Sequence, residues 1–88
     1  MADTGHMEGV YRATKKNGEI YYRSSLTYRH RHISLGSYQD ALLAHLAYRA
    51  ASRLIAAGSE LTLEDYRPTS VLDFEKWVVL LNFRDNGI

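Results

Sequence analysis

The chain has 88 residues, with 11 lysines and arginines against 10 aspartates and glutamates, and it contains no cysteine. A chain of this length forms one small domain, and without cysteine it has neither a disulfide framework nor a thiolate zinc site. No apolar run approaches the ~18 residues that a membrane helix needs, and no signal-peptide pattern opens the chain. We therefore expect a cytoplasmic protein, associated with the nucleoid if the source is bacterial.

Charge is distributed unevenly along the chain, although the formal net charge is only +1. Between Gly9 and Tyr38 there is one acid, Glu19, and there are six basic residues, namely Arg12, Lys15, Lys16, Arg23, Arg29 and Arg31. Between Glu60 and Asp85, six acids stand against three basic residues. This separation predicts that the first region forms a surface that binds a polyanion.

The basic region predicts two hairpins built from three strands. Val10–Thr14 and Ile20–Tyr28 have strand composition, and Asn17-Gly18 between them predicts a type I′ turn, in which both residues have positive φ. A second turn is predicted at Tyr28–Arg31, although it contains neither Gly nor Asn. The third strand follows and ends at Gly36. Alternation directs one set of side chains inward, namely Ile20, Tyr22, Ser24, Leu26, Tyr28, Ile33 and Leu35.

Two helices are predicted after the strands. The Ser37-x-x-Asp40 pattern favours a capped helix from about Tyr38 to Ala57, ending at Gly58. This helix has two apolar stripes, and one sheet cannot bury both of them. We expect a second helix to cover the outer stripe of Leu43, Leu46, Ala47, Ala50 and Leu54. Its predicted apolar face is Phe74, Trp77, Val78 and Leu81, it stops at Asn86-Gly87, and Trp77 and Phe83 are expected to be core residues.

The predicted fold is therefore α+β, with a three-stranded antiparallel sheet packed on one long helix and an additional C-terminal helix. Residues 1–7 are expected to be a disordered leader or a remnant of a tag. Residues 8–57 form the sheet and helix, and residues 58–88 form a linker and the C-terminal helix. Leu61 and Leu63 in the linker are expected to be buried.

The outward face of the predicted sheet is polar and basic, which is typical of a surface that enters the major groove of DNA. Arg23 is expected to pair with guanine, and short polar side chains are expected to contact bases or phosphates. Lysines and arginines at the hairpin tips are expected to contact phosphates. The predicted DNA-binding residues are Tyr11, Ala13, Lys15, Lys16, Tyr21, Arg23, Ser25, Thr27, Arg29, Arg31, His32 and Ser34.

Metal binding and catalysis are less well supported by the sequence. His30 and His32 are one residue apart, but no nearby thiol or carboxylate completes a zinc site, and the neighbouring arginines repel a cation. No nucleophile stands beside a base, and there is no glycine-rich phosphate loop. We therefore predict neither an enzyme nor a metal site, cofactor or small-molecule substrate.

Several motifs fall in register over Gly9–Ile55. Gly9-Val10 opens the first strand, Leu35-Gly36-Ser37-Tyr38 closes the third, and the helix follows with Ala44, Tyr48 and Ala51 at fixed offsets. This arrangement resembles the apetala-two / ethylene-response-factor DNA-binding domain, in the versions found in bacterial and phage mobile-element proteins. The resemblance implies a three-stranded sheet on one helix, with the sheet in the major groove, in a transcription regulator or a mobile-element nuclease or integrase.

The reading face departs from the plant members of that family, which use arginines and tryptophans. The matching positions here are Tyr11, Ala13, Ser25, Thr27, His32 and Ser34, so the plant target sequence does not transfer. Double-stranded DNA is the expected partner of a monomeric protein that does not bind membranes. One alternative is a protein-interaction module that uses edge strands and surface tyrosines. Another is binding to double-stranded RNA or to a DNA–RNA junction, which the deep, narrow major groove of A-form RNA disfavours for a sheet.

Overall fold

Three antiparallel strands form one sheet in the order β1-β2-β3, and two helices follow it in the chain. The computed structural model describes residues 8–87, so the predicted leader at residues 1–7 lies outside the described part of the chain. Within that part, the α+β architecture is confirmed. The elements are β1 (Val10–Thr14), β2 (Ile20–Tyr28), β3 (Arg31–Tyr38), α1 (Ala41–Ala57) and α2 (Phe74–Asn86), with short 3-10 helices at Gly58–Glu60 and Leu63–Asp65.

The conformations of the two hairpin turns differ from those that the sequence favours. In the first turn only Gly18 has a positive φ, of 90°, and its N–H donates to the carbonyl of Lys15 at 2.9 Å. This is a type I turn followed by a left-handed glycine, so the predicted positive φ at Asn17 is wrong. In the second turn Arg29 and His30 both have positive φ, of 53° and 67°, as a type I′ turn requires. Neither residue is glycine or asparagine, the residues that a type I′ turn prefers, and the left-handed conformation costs about 1–2 kcal/mol for each.

A β-bulge lets β3 continue beyond Gly36, where the sequence predicts that it ends. Ser24 of β2 pairs with Gly36, but the next residue, Ser25, pairs with Ser34, so Leu35 is an extra residue in β3. The Leu35 side chain enters the core and is 1% exposed. The bulge therefore keeps the outward and inward faces of β2 and β3 matched on both sides of the irregularity.

Because β3 continues to Tyr38, the predicted helix cap at Ser37 is wrong. Ser37 pairs with Arg23 across the sheet. The N-cap of α1 is Asp40, whose carboxylate accepts the N–H of Leu42 at 2.8 Å. A short side-chain oxygen at this position satisfies an amide that has no partner within the helix. The helix accordingly begins at Ala41 and not at Tyr38.

Small residues hold α1 against the sheet. Ala44, Ala47 and Ala51 are completely buried, and their short side chains let the helix lie near the strands. Ser24 is the buried polar residue of β2, and its hydroxyl donates to the carbonyl of Ala44 at 2.7 Å. This bond satisfies a hydroxyl that would be costly to bury alone, and it joins β2 directly to the helix.

α2 packs against α1 and against the side of the sheet that β3 forms. Leu54 is completely buried, but Leu43 and Leu46 remain 45% and 41% exposed, so α2 covers only part of the outer stripe on α1. The sheet and both helices share one core. Its buried members are Leu26, Ile33, Leu35, Ala47, Ala51, Leu54, Leu72, Trp77, Leu80 and Phe83.

The buried face of α2 is rotated relative to the predicted one. Trp77 and Phe83 are core residues, as predicted, and Leu80 lies between them completely buried. Phe74, which the sequence places on the apolar face, is 51% exposed, and its ring makes a T-shaped contact with Tyr66 at 5.4 Å between ring centres. Leu63, which the sequence predicts to be buried, is 48% exposed. Its 3-10 turn puts this side chain on the surface.

The ends of α2 are set by polar contacts. The Asp73 carboxylate caps the helix by accepting the N–H of Lys76 at 2.8 Å, and the chain turns at Gly87, as predicted. The Arg84 guanidinium, in a side chain that is 7% exposed, donates to the carbonyls of Leu54 at 3.2 Å and Leu61 at 2.8 Å. This side chain therefore joins α1, the linker and α2. In residues 8–87 neither helix has the length and apolar composition needed to cross a bilayer.

Ionisation of the Tyr38 phenol should make the fold less stable at alkaline pH. Burial and the nearby Asp73 carboxylate raise the Tyr38 pKa above its ordinary value of 10.0, and the hydroxyl donates to the carbonyl of Leu35 at 3.0 Å. The protonated phenol therefore stabilises the fold fully below about pH 10, and this contribution is lost as the pH rises through the raised pKa. In urea unfolding between about pH 9 and 12, the wild type should lose more stability than Tyr38→Phe. Equal losses in the two proteins would contradict the prediction.

Candidate nucleic-acid interface

The strand register places the polar residues of the sheet in rows across its outward face. Tyr11 pairs with Arg23, and Ala13 pairs with Tyr21, between β1 and β2. Across β2 and β3 the outward pairs are Arg23 with Ser37, Ser25 with Ser34, and Thr27 with His32. This surface, which we call the outer face, consists of Tyr11, Ala13, Tyr21, Arg23, Ser25, Thr27, His32, Ser34 and Ser37.

The outer face is open to solvent and concave near its centre. Tyr11 is 52% exposed and Arg23 is exposed beside it. The concavity has a volume of about 420 Å³ and is lined by Tyr11, Arg23, Ser24, Ser25, His32 and Ser34. Among residues 8–87, no carboxylate lies within 4.0 Å of the Arg23 guanidinium. This arginine is therefore available to an external acceptor.

One polar pair of the outer face is already joined within the protein. The hydroxyl of Thr27 and Nδ1 of His32 are 3.2 Å apart, within hydrogen-bonding distance. The contact fixes the imidazole across β2 and β3, and it leaves Nε2 of the ring for a ligand. His30 lies separately in the second hairpin turn. The described residues contain no cluster of three or more His, Asp or Glu side chains suited to a metal ion.

The first hairpin carries two lysines at the end of the outer face. Nζ of Lys15 is 3.6 Å from the Glu19 carboxylate, in an exposed ion pair of small energetic value. The same ammonium group lies 5.9 Å from the centre of the Tyr21 ring. Lys16 is exposed at the turn, and in the described structure it has no carboxylate within 4.0 Å. The tip therefore presents positive charge to solvent.

Arg29 and Arg31, which are predicted to contact phosphates from a hairpin tip, lie on the helix side of the second hairpin and outside the outer face. The Arg29 guanidinium lies 5.1 Å from the centre of the Tyr28 ring, and that ring contacts Phe83 of α2. The Arg31 guanidinium lies 5.8 Å from the centre of the Phe83 ring. Both arginines are exposed, but they extend the positive surface around the edge of the sheet and not across the outer face.

Two features of the site are absent from the sequence-based prediction. Ser37 joins the outer face because the bulge returns it to the outward side, and no local pattern in the sequence indicates a bulge. α2 lies beside β3, where Glu75, Lys76 and Val79 line a groove together with Ser34 and its neighbours on that strand. Only the tertiary packing of α2 brings these residues near the site.

Comparisons of the chain with protein-family models, with curated proteins and with solved structures found no match. The resemblance to the apetala-two / ethylene-response-factor domain therefore stays a prediction from the motifs.

Proposed function

We propose that the protein binds double-stranded DNA by placing the outer face of its sheet in the major groove. The observation that carries this proposal is the composition of the outer face, where an exposed arginine and short polar side chains lie together without an exposed acid. The two hairpins carry further positive charges, Lys15 and Lys16 on the first and Arg29 and Arg31 on the second. Polar side chains on a ribbon of strands can read base edges, while flanking cations bind phosphates.

The dimensions of the sheet suit this docking mode. Neighbouring strands lie about 4.8 Å apart, so three strands span roughly 10 Å between their outermost backbones. The major groove of B-form DNA is about 12 Å wide. A three-stranded sheet therefore fits into the groove, while the deep and narrow major groove of RNA excludes it.

The outer face also supports a division of roles among its residues. Arg23 stands at the centre and suits bidentate hydrogen bonding to guanine. Ser25, Ser34 and His32 suit single hydrogen bonds to bases or phosphates, and Lys15 and Lys16 suit phosphates only. The motif resemblance further supports a module of a transcription regulator or of a mobile-element nuclease or integrase.

The test of this proposal is the affinity of Arg23→Ala for duplex DNA. We expect a loss of about 1–3 kcal/mol, roughly 5- to 150-fold, with relaxed sequence preference at one base position. Arg53→Ala is the matched control. Arg53 lies two residues beyond the buried Ala51 and is exposed on the opposite side of α1 from the sheet. The control substitution therefore removes the same charge as Arg23→Ala, away from the outer face. Equal affinities of the two variants would show that the outer face does not dock.

The salt dependence of wild-type binding separates DNA binding from the alternative of peptide binding at an edge strand. Affinity for duplex DNA should fall steeply with added salt, by about 0.9 in log K per unit of log salt for each phosphate contacted. Peptide addition at β1 or β3 relies on backbone hydrogen bonds and should change little. Amide shifts from a duplex titration should concentrate on the outer face and the first hairpin.

A further inference from the structure

The groove between β3 and α2 is a second concave surface beside the outer face. Phe83 of α2 lies against Arg31 at the start of β3, and Asp73 lies near Tyr38 at its end, so the helix runs antiparallel to the strand. The groove between them has a volume of about 360 Å³. Its lining consists of Arg31, His32, Ile33, Ser34, Glu75, Lys76, Val79 and Phe83.

This groove, which we call the β3–α2 groove, is continuous with the concavity of the outer face. His32 and Ser34 line both of them, so the two surfaces meet along the outward side chains of β3. A ligand that lies over the outer face and extends past β3 must enter the β3–α2 groove.

The charges of the β3–α2 groove favour an anion. Arg31 and Lys76 contribute two cations, and Glu75 contributes one acid. In the part of the chain that the structure describes, neither cation has a carboxylate within 4.0 Å. Ile33 and Val79 form the apolar part of the lining, and the groove is open to solvent. The groove therefore presents positive charge that has no carboxylate partner among the described residues.

We propose that the β3–α2 groove binds the phosphate backbone of one DNA strand, with Lys76 contacting a phosphate. This inference rests on the proposed function, because it takes the outer face to occupy the major groove. The sheet spans roughly 10 Å and the major groove of DNA is about 12 Å wide. The two sugar–phosphate backbones that border the major groove therefore lie just outside the edge strands of the sheet. On the β3 side, that position is occupied by the β3–α2 groove.

The first test is the salt dependence of Lys76→Ala binding to duplex DNA. We expect its affinity to fall about 3- to 10-fold on every duplex sequence, and the slope of log K against log salt to become shallower by about 0.9, the value for one phosphate. Arg53→Ala, which also removes one exposed cation, should match the wild type in both measurements. Unfolding curves of the two variants identify any change that arises from folding. If folded Lys76→Ala binds like Arg53→Ala, the inference is wrong.

A second variant tests the same groove by a gain of affinity, which loss of folding cannot imitate. Glu75→Gln removes the carboxylate that would face the phosphates, and it should tighten binding about 2- to 5-fold. An unchanged or weaker affinity would contradict the inference. The proposed function is tested separately: it is contradicted if Arg23→Ala binds duplex DNA as tightly as Arg53→Ala does. A protein in which Arg23→Ala weakens binding while Lys76→Ala and Glu75→Gln do not would retain the outer face and exclude the β3–α2 groove.

Discussion

Replacing Gly9 with alanine should lower the free energy of unfolding by about 2–5 kcal/mol. Gly9 has φ of 78°, where a side chain costs about 1–2 kcal/mol. An added methyl group would also overlap the Tyr48 ring, which lies over Gly9 and fixes the start of β1 against α1. Forcing extra atoms into a filled site adds about 1–3 kcal/mol. Equilibrium urea unfolding of the two proteins measures the difference.

Gly18→Ala is the matched control for the Gly9 prediction. Its φ is 90°, but an added methyl group there would meet no atom within 4 Å. This variant therefore measures the backbone cost alone, about 1–2 kcal/mol. The further loss in Gly9→Ala reports the contact with Tyr48. If the free energy of unfolding falls equally in both variants, the Tyr48 ring moves aside at no cost, and its close contact with Gly9 does not stabilise the fold.

The double variant Arg29→Asn/His30→Gly should raise the free energy of unfolding by about 1–3 kcal/mol and weaken DNA binding. Asn-Gly is the favoured pair for two positive φ values in succession, so it removes the strain of the second turn. Loss of the Arg29 contact with the Tyr28 ring offsets about 0.5–1 kcal/mol of this gain. Removal of the cation at the tip should lower affinity for all duplex sequences alike.

His30→Gly alone separates the two effects. It relieves strain at one residue and keeps the Arg29 cation, so stability should rise by about 1 kcal/mol while DNA affinity stays at the wild-type value. Thermal unfolding and duplex titration at one salt concentration measure both quantities. A stabilised double variant that binds DNA as well as the wild type would show that the strained tip has no part in binding.

The strands were predictable because alternation in β2 is strong, whereas the turns depended on the whole sheet. Asn17-Gly18 is the more favourable sequence for a type I′ turn, yet that conformation occurs at Arg29 and His30. The pairing of Tyr28 with Arg31 leaves two residues to close the second hairpin. Only primed turns match the twist of the strands in so short a loop. The register of β2 with β3 therefore determined the conformation of Arg29 and His30, against the local preferences of these two residues.

The residues that β2 contributes to the outer face were predictable, because side chains alternate between the two faces along a strand. The residues that β3 contributes at the edge of the outer face were not all predictable. The sequence gives Ser37 the pattern of a helix cap, and the bulge at Leu35 turns it into a neighbour of Arg23. The place of Ser37 depends on pairing between residues far apart in sequence, which local patterns do not contain. Arg31 pairs with Tyr28 and lies two residues before Ile33, so strand alternation already puts it on the helix side, where its guanidinium lies 5.8 Å from the centre of the Phe83 ring.

The guanidinium of Arg84 has a consequence for how the molecule opens. Because it bonds to the end of α1 and to the linker, and because Leu80 and Phe83 belong to the same core as Ile33, detachment of α2 breaks these hydrogen bonds and exposes part of the core under the sheet. We therefore expect a ligand that binds the assembled sheet to slow hydrogen exchange in α2 as well, to the extent that opening of α2 and of the sheet are coupled. Slower exchange near Arg84, which does not line the β3–α2 groove, would report occupancy of the sheet.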